Sequence, residues 1–331
     1  MKSIAFFNNK GGVGKTTLIC NVAAYFGIHG NKKILVIDAD PQCNATQLLL
    51  PEDVVEEMYE KNTKFTINSI VQPLSIGKGY AKSLDVIRVE DYNVDLLPGD
   101  PRLALKEDLL SKDWQDSTGG DIRGLRTSFL FSELLDKCQD YDLVLFDMGP
   151  SLGSVNRAVL LACDYFLSPM SIDIFSLRAI ENISTSLIEW RRKLKIGVSQ
   201  ADPKSLEDLP NKGAFTVKFL GYVAQQYVQK SSKGVARPVF SYDKIMKRIP
   251  GYIEENFRAK LQPDAKKIEY RLGTIPSLFS LVPMSQSAHK PIFELKARDG
   301  VRGAHFSKVK EAYDIFEGVA AGIERNMRAL K

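Results

Sequence analysis

Paired cysteines are missing from this chain. Its four cysteines stand at positions 20, 43, 138 and 163, with no CxxC among them. That spacing excludes the common zinc and dithiol redox motifs and leaves buried thiols as the expectation. Histidine is scarce too: His29, His289 and His305 share no metal-ligand spacing and read as structural. The two tryptophans, Trp114 and Trp190, are isolated, which suits core or partner contacts better than a platform for stacked bases. No apolar run approaches the roughly 20 residues of a membrane span. No secretory leader precedes the first strand, so a cytoplasmic protein is expected. Internal repeats and low-complexity tracts are also missing. The net charge of +5 over 331 residues permits nucleic-acid binding without demanding it.

What the chain does have is a steady alternation of strand and helix signals. Short β-prone runs at 2–7, 34–38, 85–89, 94–97, 143–147, 165–169 and 216–223 are interleaved with helical spacing at 18–26, 129–138, 156–163, 177–194 and 305–330. That order predicts an α/β fold, a mainly parallel twisted sheet with helices on both faces. Residues 51–83, 102–126 and 197–270 are more polar and irregular, and 228–270 is rich in lysine and arginine, including Lys233. They fit as insertions into one domain spanning 1–331 better than as linkers between two.

The segment 6–17, FFNNKGGVGKTT, occupies the first strand-to-helix junction. Gly11, Gly12 and Gly14 let backbone N–H groups turn toward a polyphosphate, and the next helix aims its positive end at the same place. Lys15 is set for the β- and γ-phosphates, the Thr16 hydroxyl for a magnesium shell, and Thr17 for the α-phosphate. With Val13 between them these residues form a P-loop, so ATP and Mg²⁺ are the expected ligands. Asp38 and Asp40 follow at the end of the second strand run, where parallel sheets bind ligands. Asp147 closes the apolar run 143–146 and is suited to holding a metal-bound water.

An ordinary P-loop has no need of Lys10. The string KGGVGKTT at 10–17 resembles the deviant Walker A motif of the ParA/MinD/Soj ATPases, and the chain as a whole is most similar to the ParA/Soj branch. The resemblance implies that Lys10 crosses a dimer interface to the phosphates of the other subunit. Lys10, Lys15 and Asp40 are then the expected catalytic set of a nucleotide-sandwich homodimer. DADPQCNAT at 38–46 is similar to the family's DxDPQ motif, which implies that Asp40 orients the attacking water while Asp38 lies near the magnesium with Thr16 and Asp147. Where the family has Thr-Pro-Pro-Ser in its γ-phosphate loop, this chain has Met148-Gly149-Pro150-Ser151, and glycine frees the backbone there. Residues 273–276 resemble the family's final strand, which implies that Pro276 lies against adenine, although Leu278 replaces an asparagine two places on. Iron–sulfur relatives with this loop variant need closely arranged cysteines, which are lacking here.

For function, the resemblance implies a slow Mg²⁺-dependent ATPase, stimulated by a protein partner and switching in DNA partitioning or cargo positioning. Non-specific DNA is the expected partner of such a dimer, yet two usual arginines are Ser277 and Ser280 here. Lys290, Arg298 and Arg302 flank the family-like C-terminal segment and are the chosen DNA-binding candidates. One alternative is a nucleotide-gated module that recruits a dedicated protein without DNA. Another is a MinD-like membrane-associated ATPase, since Ile323, Met327 and Leu330 share one face of the last helix. That face is short and lacks a large aromatic, which favours ordinary packing.

Overall fold

A strand covered on both faces has to be apolar almost throughout, and the second and fifth runs behave that way: every residue of Ile34–Asp38 and Leu143–Asp147 is buried. The computed structural model describes residues 1–61, 65–210, 215, 217–227, 229–232, 235–238, 240–278 and 280–330, and side chains outside 226–241. In chain order its strands are β1 (Lys2–Phe6), β2 (Ile34–Asp38), β3 (Ile87–Val89), β4 (Val94–Leu97), β5 (Leu143–Asp147), β6 (Tyr165–Ser171), β7 (Lys218–Tyr227), β8 (Gln229–Ser232), β9 (Val235–Pro238) and β10 (Arg271–Pro276). Eight of them form one sheet in the order β10-β7-β6-β1-β5-β2-β4-β3, parallel except where β3 runs against β4. β8 and β9 make a separate hairpin.

Alternation along the strands feeds two cores. Ala5, Leu35, Ile37, Val144 and Phe146 face one, covered by the helices Glu107–Ser117, Leu130–Asp136, Ser154–Ala162 and Ile174–Gln200. Ile4, Phe6, Val36 and Leu145 face the other, covered by Lys15–Ile28 and His305–Ala329. The expected sheet with helices on both faces is therefore present. Register then brings the chemistry together. Phe6 of β1 and Asp38 of β2 both lie opposite Asp147 of β5, so the loops that follow them open at one edge.

The polar segments depart from their irregular appearance. Residues 51–83 hold the helices Glu52–Glu60 and Ile67–Ser75, and 102–126 hold Glu107–Ser117 and the start of Ile122–Ser128. Leu110, Trp114 and Leu125 enter the core from the second of these segments. Phe257, within 197–270, packs 5.3 Å from Phe166 and 4.2 Å from Phe219, ring centre to ring centre. One apolar side chain per helical turn is enough to seat such elements, and a mainly polar composition conceals it. The long helix runs Ile174–Gln200, further at both ends than its 177–194 spacing suggested. Thr216, the expected start of a strand, and Lys233 of the basic stretch lie outside the described residues.

All four cysteines are buried. In the last helix Ile323 is fully buried, Leu330 beyond it is 2% exposed, and Met327 packs against the same core, so the face considered for a membrane is already covered. Among the described residues no helix is long and apolar enough to cross a membrane.

Candidate functional site

β1 ends where Asn8 ties the loop to β6. Its amide donates to Pro169 O at 2.6 Å, and its Oδ1 accepts from Lys10 N at 3.0 Å. Gly12 and Gly14 then take left-handed backbone angles, φ 69° and 72°, which turn successive peptides inward. A Cβ on Gly14 would overlap Oε1 of Gln225, which reaches over from β7 and donates to Gly14 O at 3.2 Å. The helix Lys15–Ile28 starts with no side-chain cap, so its first N–H groups remain available to an anion. A cleft of about 480 Å³ opens over residues 11–17, bordered by Asp40, Gln42, Asn44, Gln47, Leu48, Pro150 and Gln286.

The cleft carries one charge of each sign, Lys15 and Asp40. Lys15 is buried, with Nζ 3.3 Å from Lys10 O; burial lowers its pKa, against the pull of Asp147 and Asp40. Thr16 Oγ1 donates to Asp147 Oδ2 at 2.7 Å, while Asp147 Oδ1 is buried with no partner. Burial drives the Asp147 carboxyl well above the usual range, and the neighbouring Asp38 adds to it. Asp38 is raised by burial as well, but its oxygens accept from Thr46 N and Oγ1, at 2.8 and 2.7 Å, and from Asp40 N. Thr16 and Asp147 are thus brought together, and Asp38, opposite Asp147 in the next strand, uses one of its oxygens to anchor the helix Asn44–Leu49. Among the described residues no cluster of three or more His, Cys, Asp or Glu could cage a metal. Magnesium needs none, because it keeps waters and phosphate oxygens and takes one or two protein ligands. An orphaned carboxylate oxygen beside a threonine hydroxyl at an uncapped helix start fits that demand.

Asp40 lines the cleft, its Oδ1 held by Gln42 N at 3.0 Å. Gly149 backs it so closely that a Cβ there would come within 3.3 Å of the same oxygen. Lys10 is turned the other way. Its Nζ donates to Asp173 and, at 3.1 Å, to Ser171 Oγ, and it does not border the cleft of its own chain. Burial raises the Asp173 carboxyl, but Lys10 and Ser171 outweigh this and leave it below the usual carboxylate range. Pro276 ends β10 without lining the cleft, whose outer wall is Gln47, Leu48 and Gln286 instead.

The candidate DNA-binding residues separate. The Lys290 side chain is 14% exposed and paired with Asp299 at 2.8 Å, so it is a structural cation rather than a free one. Arg298 and Arg302 are exposed. Lys290 and Arg298 border a hollow with Glu90, Asp91, Glu294 and Ile28. Ile28 ends the helix that begins at Lys15, so this mixed-charge hollow lies about 20 Å from the P-loop. Sequence reasoning passed over Asn8, Gln225, Asn156 and Asp173. Asp173 had a usable signal, an acid three places before Ser176 at a helix start, where its side chain accepts from Phe175 N and Ser176 N.

Known proteins resemble this chain to different extents. The family model described as an AAA domain matches residues 1–199. Protein IncC of Escherichia coli is 29% identical over 196 residues, 58% of this chain and 47% of its own length. The virulence plasmid ParA family protein of Chlamydia psittaci is 29% identical over 55% of this chain and 62% of its own. The chain therefore spans about half to three-fifths of the length of these relatives. A solved protein of Corynebacterium diphtheriae shares 29% identity with a TM-score of 0.75, covering 99% of both chains. The ATP complex of Cyanothece McdA superposes with a TM-score of 0.63 over 98% of this chain and 96% of its own, and at 17% identity it speaks for the fold alone.

Proposed function

The chain belongs to the AAA-domain family that includes ParA- and Soj-type partition ATPases, and from this we propose that it is an ATP-hydrolysing, dimerising switch. One observation carries the reading: the orphaned Asp147 Oδ1 beside Thr16, at the head of an uncapped helix and below Lys15. ATP with Mg²⁺ would supply the scissile phosphate bond and a counter-charge for these acids. Glycines 11, 12 and 14 with the first turn of the helix hold the phosphate chain, Lys15 neutralises it, and Thr17 completes the grip. Asp40, at the mouth of the cleft, orients the attacking water and accepts its proton. Lys10 serves the phosphates of a second copy, a role supported by its absence from the lining of its own chain's cleft. We take residues 1–331 to act as one unit, in a cytoplasmic setting, with a protein partner that accelerates turnover.

The test combines two measurements. Wild type should hydrolyse ATP slowly and gain mass on ATP addition in light scattering, whereas Asp40→Ala should gain mass without turnover. Turnover in Asp40→Ala equal to wild type would remove Asp40 from its role. A second reading, a switch that recruits a protein and not DNA, is favoured by the pairing of Lys290 with Asp299 and by the acids around Arg298. DNA mobility shifts with and without ATP at low salt separate the two.

A further inference from the structure

The loop after β5, Met148-Gly149-Pro150-Ser151, is held from two sides. Asn156, 3% exposed, donates its side-chain amide to Gly149 O at 2.8 Å and to Ser151 O at 2.7 Å. One amide thereby bridges the carbonyls on either side of Pro150, the residue that borders the cleft across from Gly11. Glu107 acts from the opposite side. Its carboxylate accepts from Ser154 N at 2.7 Å, from the Ser154 hydroxyl and from Val155 N at 3.4 Å, so an acid from the 102–126 insertion caps the helix Ser154–Ala162. The same carboxylate fills the space over Gly153, where a Cβ would come within 2.9 Å of Oε1. Arg157, next along this helix, lies 4.5 Å from the Trp114 ring and 5.9 Å from that of Trp190, and its pKa is lowered to about 10 by burial against the pull of Glu107.

We propose that Asn156 and Glu107 are positioning residues for ATP hydrolysis, which hold the 149–153 loop so that Gly149 keeps Asp40 aimed into the cleft. The assignment rests on the ATPase reading above. Its logic is geometric. A Cβ on Gly149 would lie 3.3 Å from Asp40 Oδ1, close enough that the carboxylate would have to give by a few tenths of an ångström, so drift of the loop toward Asp40 displaces the carboxylate and drift away opens space behind it. Removing the two hydrogen bonds frees a glycine whose backbone has no other restraint from its own side chain. A misplacement of about 1 Å in a reacting group costs on the order of a hundredfold in rate. The insertion acquires a role by the same argument, since Glu107 is where it meets the loop.

The experiment compares wild type with Asn156→Ala, Asn156→Ser, Glu107→Gln and the pair Asn156→Ala/Glu107→Gln. It measures kcat and KM for Mg-ATP, the dissociation constant of a non-hydrolysable ATP analogue, and thermal midpoints. Asn156→Ala should lower kcat by about tenfold or more while analogue affinity stays within about threefold. Asn156→Ser keeps one donor and should fall between; if the alanine variant does not fold, this one and Glu107→Gln carry the test. The pair should lose less than the product of its singles, because both act on one loop. Values of kcat within about twofold of wild type in singles and pair overturn the proposal, as does analogue affinity falling in step with kcat. Asp40→Ala runs alongside. Asp40-dependent turnover with unaffected variants removes only this proposal, whereas a wild type with no turnover at all removes the ATPase reading and the proposal together.

Discussion

Asp147 sets stability against function in a single side chain. One of its oxygens is bonded to Thr16, the other has no partner, and Asp38 lies opposite in the next strand. A buried, incompletely paired charge destabilises the nucleotide-free protein, and a bound dication would offset that cost. Asp147→Asn removes the charge at nearly constant shape. The nucleotide-free thermal midpoint should therefore rise, by about 2 °C for each kcal/mol gained, while Mg-ATP should lose most of its stabilising shift. Calorimetry with and without Mg-ATP checks this, and a lower nucleotide-free midpoint would mean the carboxylate is already compensated. Lys15→Ala is the simpler case. It deletes a charge-assisted interaction with the phosphates, so ATP binding by titration calorimetry should become undetectable or at least about a hundredfold weaker. Gly149→Ala tests packing instead: its Cβ would press on Asp40 Oδ1 at 3.3 Å. Turnover should drop by roughly three- to tenfold with ATP affinity unchanged, and full activity would show that Asp40 yields without consequence.

At the scale of elements, the strand ends carry the site and the helix starts tune it. Asp173 caps the helix Ile174–Gln200 and at the same time holds Lys10, side chains that are 34% and 40% exposed. An ion pair that open to solvent contributes about 0–1 kcal/mol, so it delays the transfer of Lys10 to a partner's phosphates only slightly. Asp173→Asn keeps the cap and removes the charge. ATP-dependent dimerisation, followed by light scattering against protein concentration, should tighten by up to about fivefold; a weaker dimer would mean that Asp173 aims Lys10 rather than detains it. These elements also mark what a local reading of the sequence can reach. The P-loop, the pair Asp38 and Asp40, and Asp147 were legible because each lies within a few residues of the strand end that presents it. Gln225 reaches Gly14 across 211 residues, and Asn156 matters only because Gly149 and Ser151 fold back over it. No local pattern encodes such pairings. The helices of 102–126 were hidden for a related reason, since Leu110, Trp114 and Leu125 are their few anchors in the core amid polar neighbours.

For the whole molecule, the open question is which surface meets a polyanion once two copies associate. Lys290 belongs to the fold: reversing its charge would set an acid against Asp299, which now pairs with Lys290 at 2.8 Å, and would disturb this segment before it tested binding. Arg298 and Arg302 remain exposed, but Glu90, Asp91 and Glu294 stand around the hollow that Arg298 borders, which weakens its attraction for phosphate. If DNA is the partner, the double variant Arg298→Glu/Arg302→Glu should reduce ATP-dependent binding, and the log–log salt slope should shrink by about 0.9 for each phosphate no longer neutralised. ATP binding and dimer mass should be unchanged, because neither residue borders the nucleotide cleft. Mobility shifts over a salt series give both quantities. DNA binding with an unaltered slope would move the interface to another basic stretch, such as 228–270. No ATP-dependent shift at low salt in wild type would leave a protein as the partner, and the exposed face of the insertions would become the surface to map.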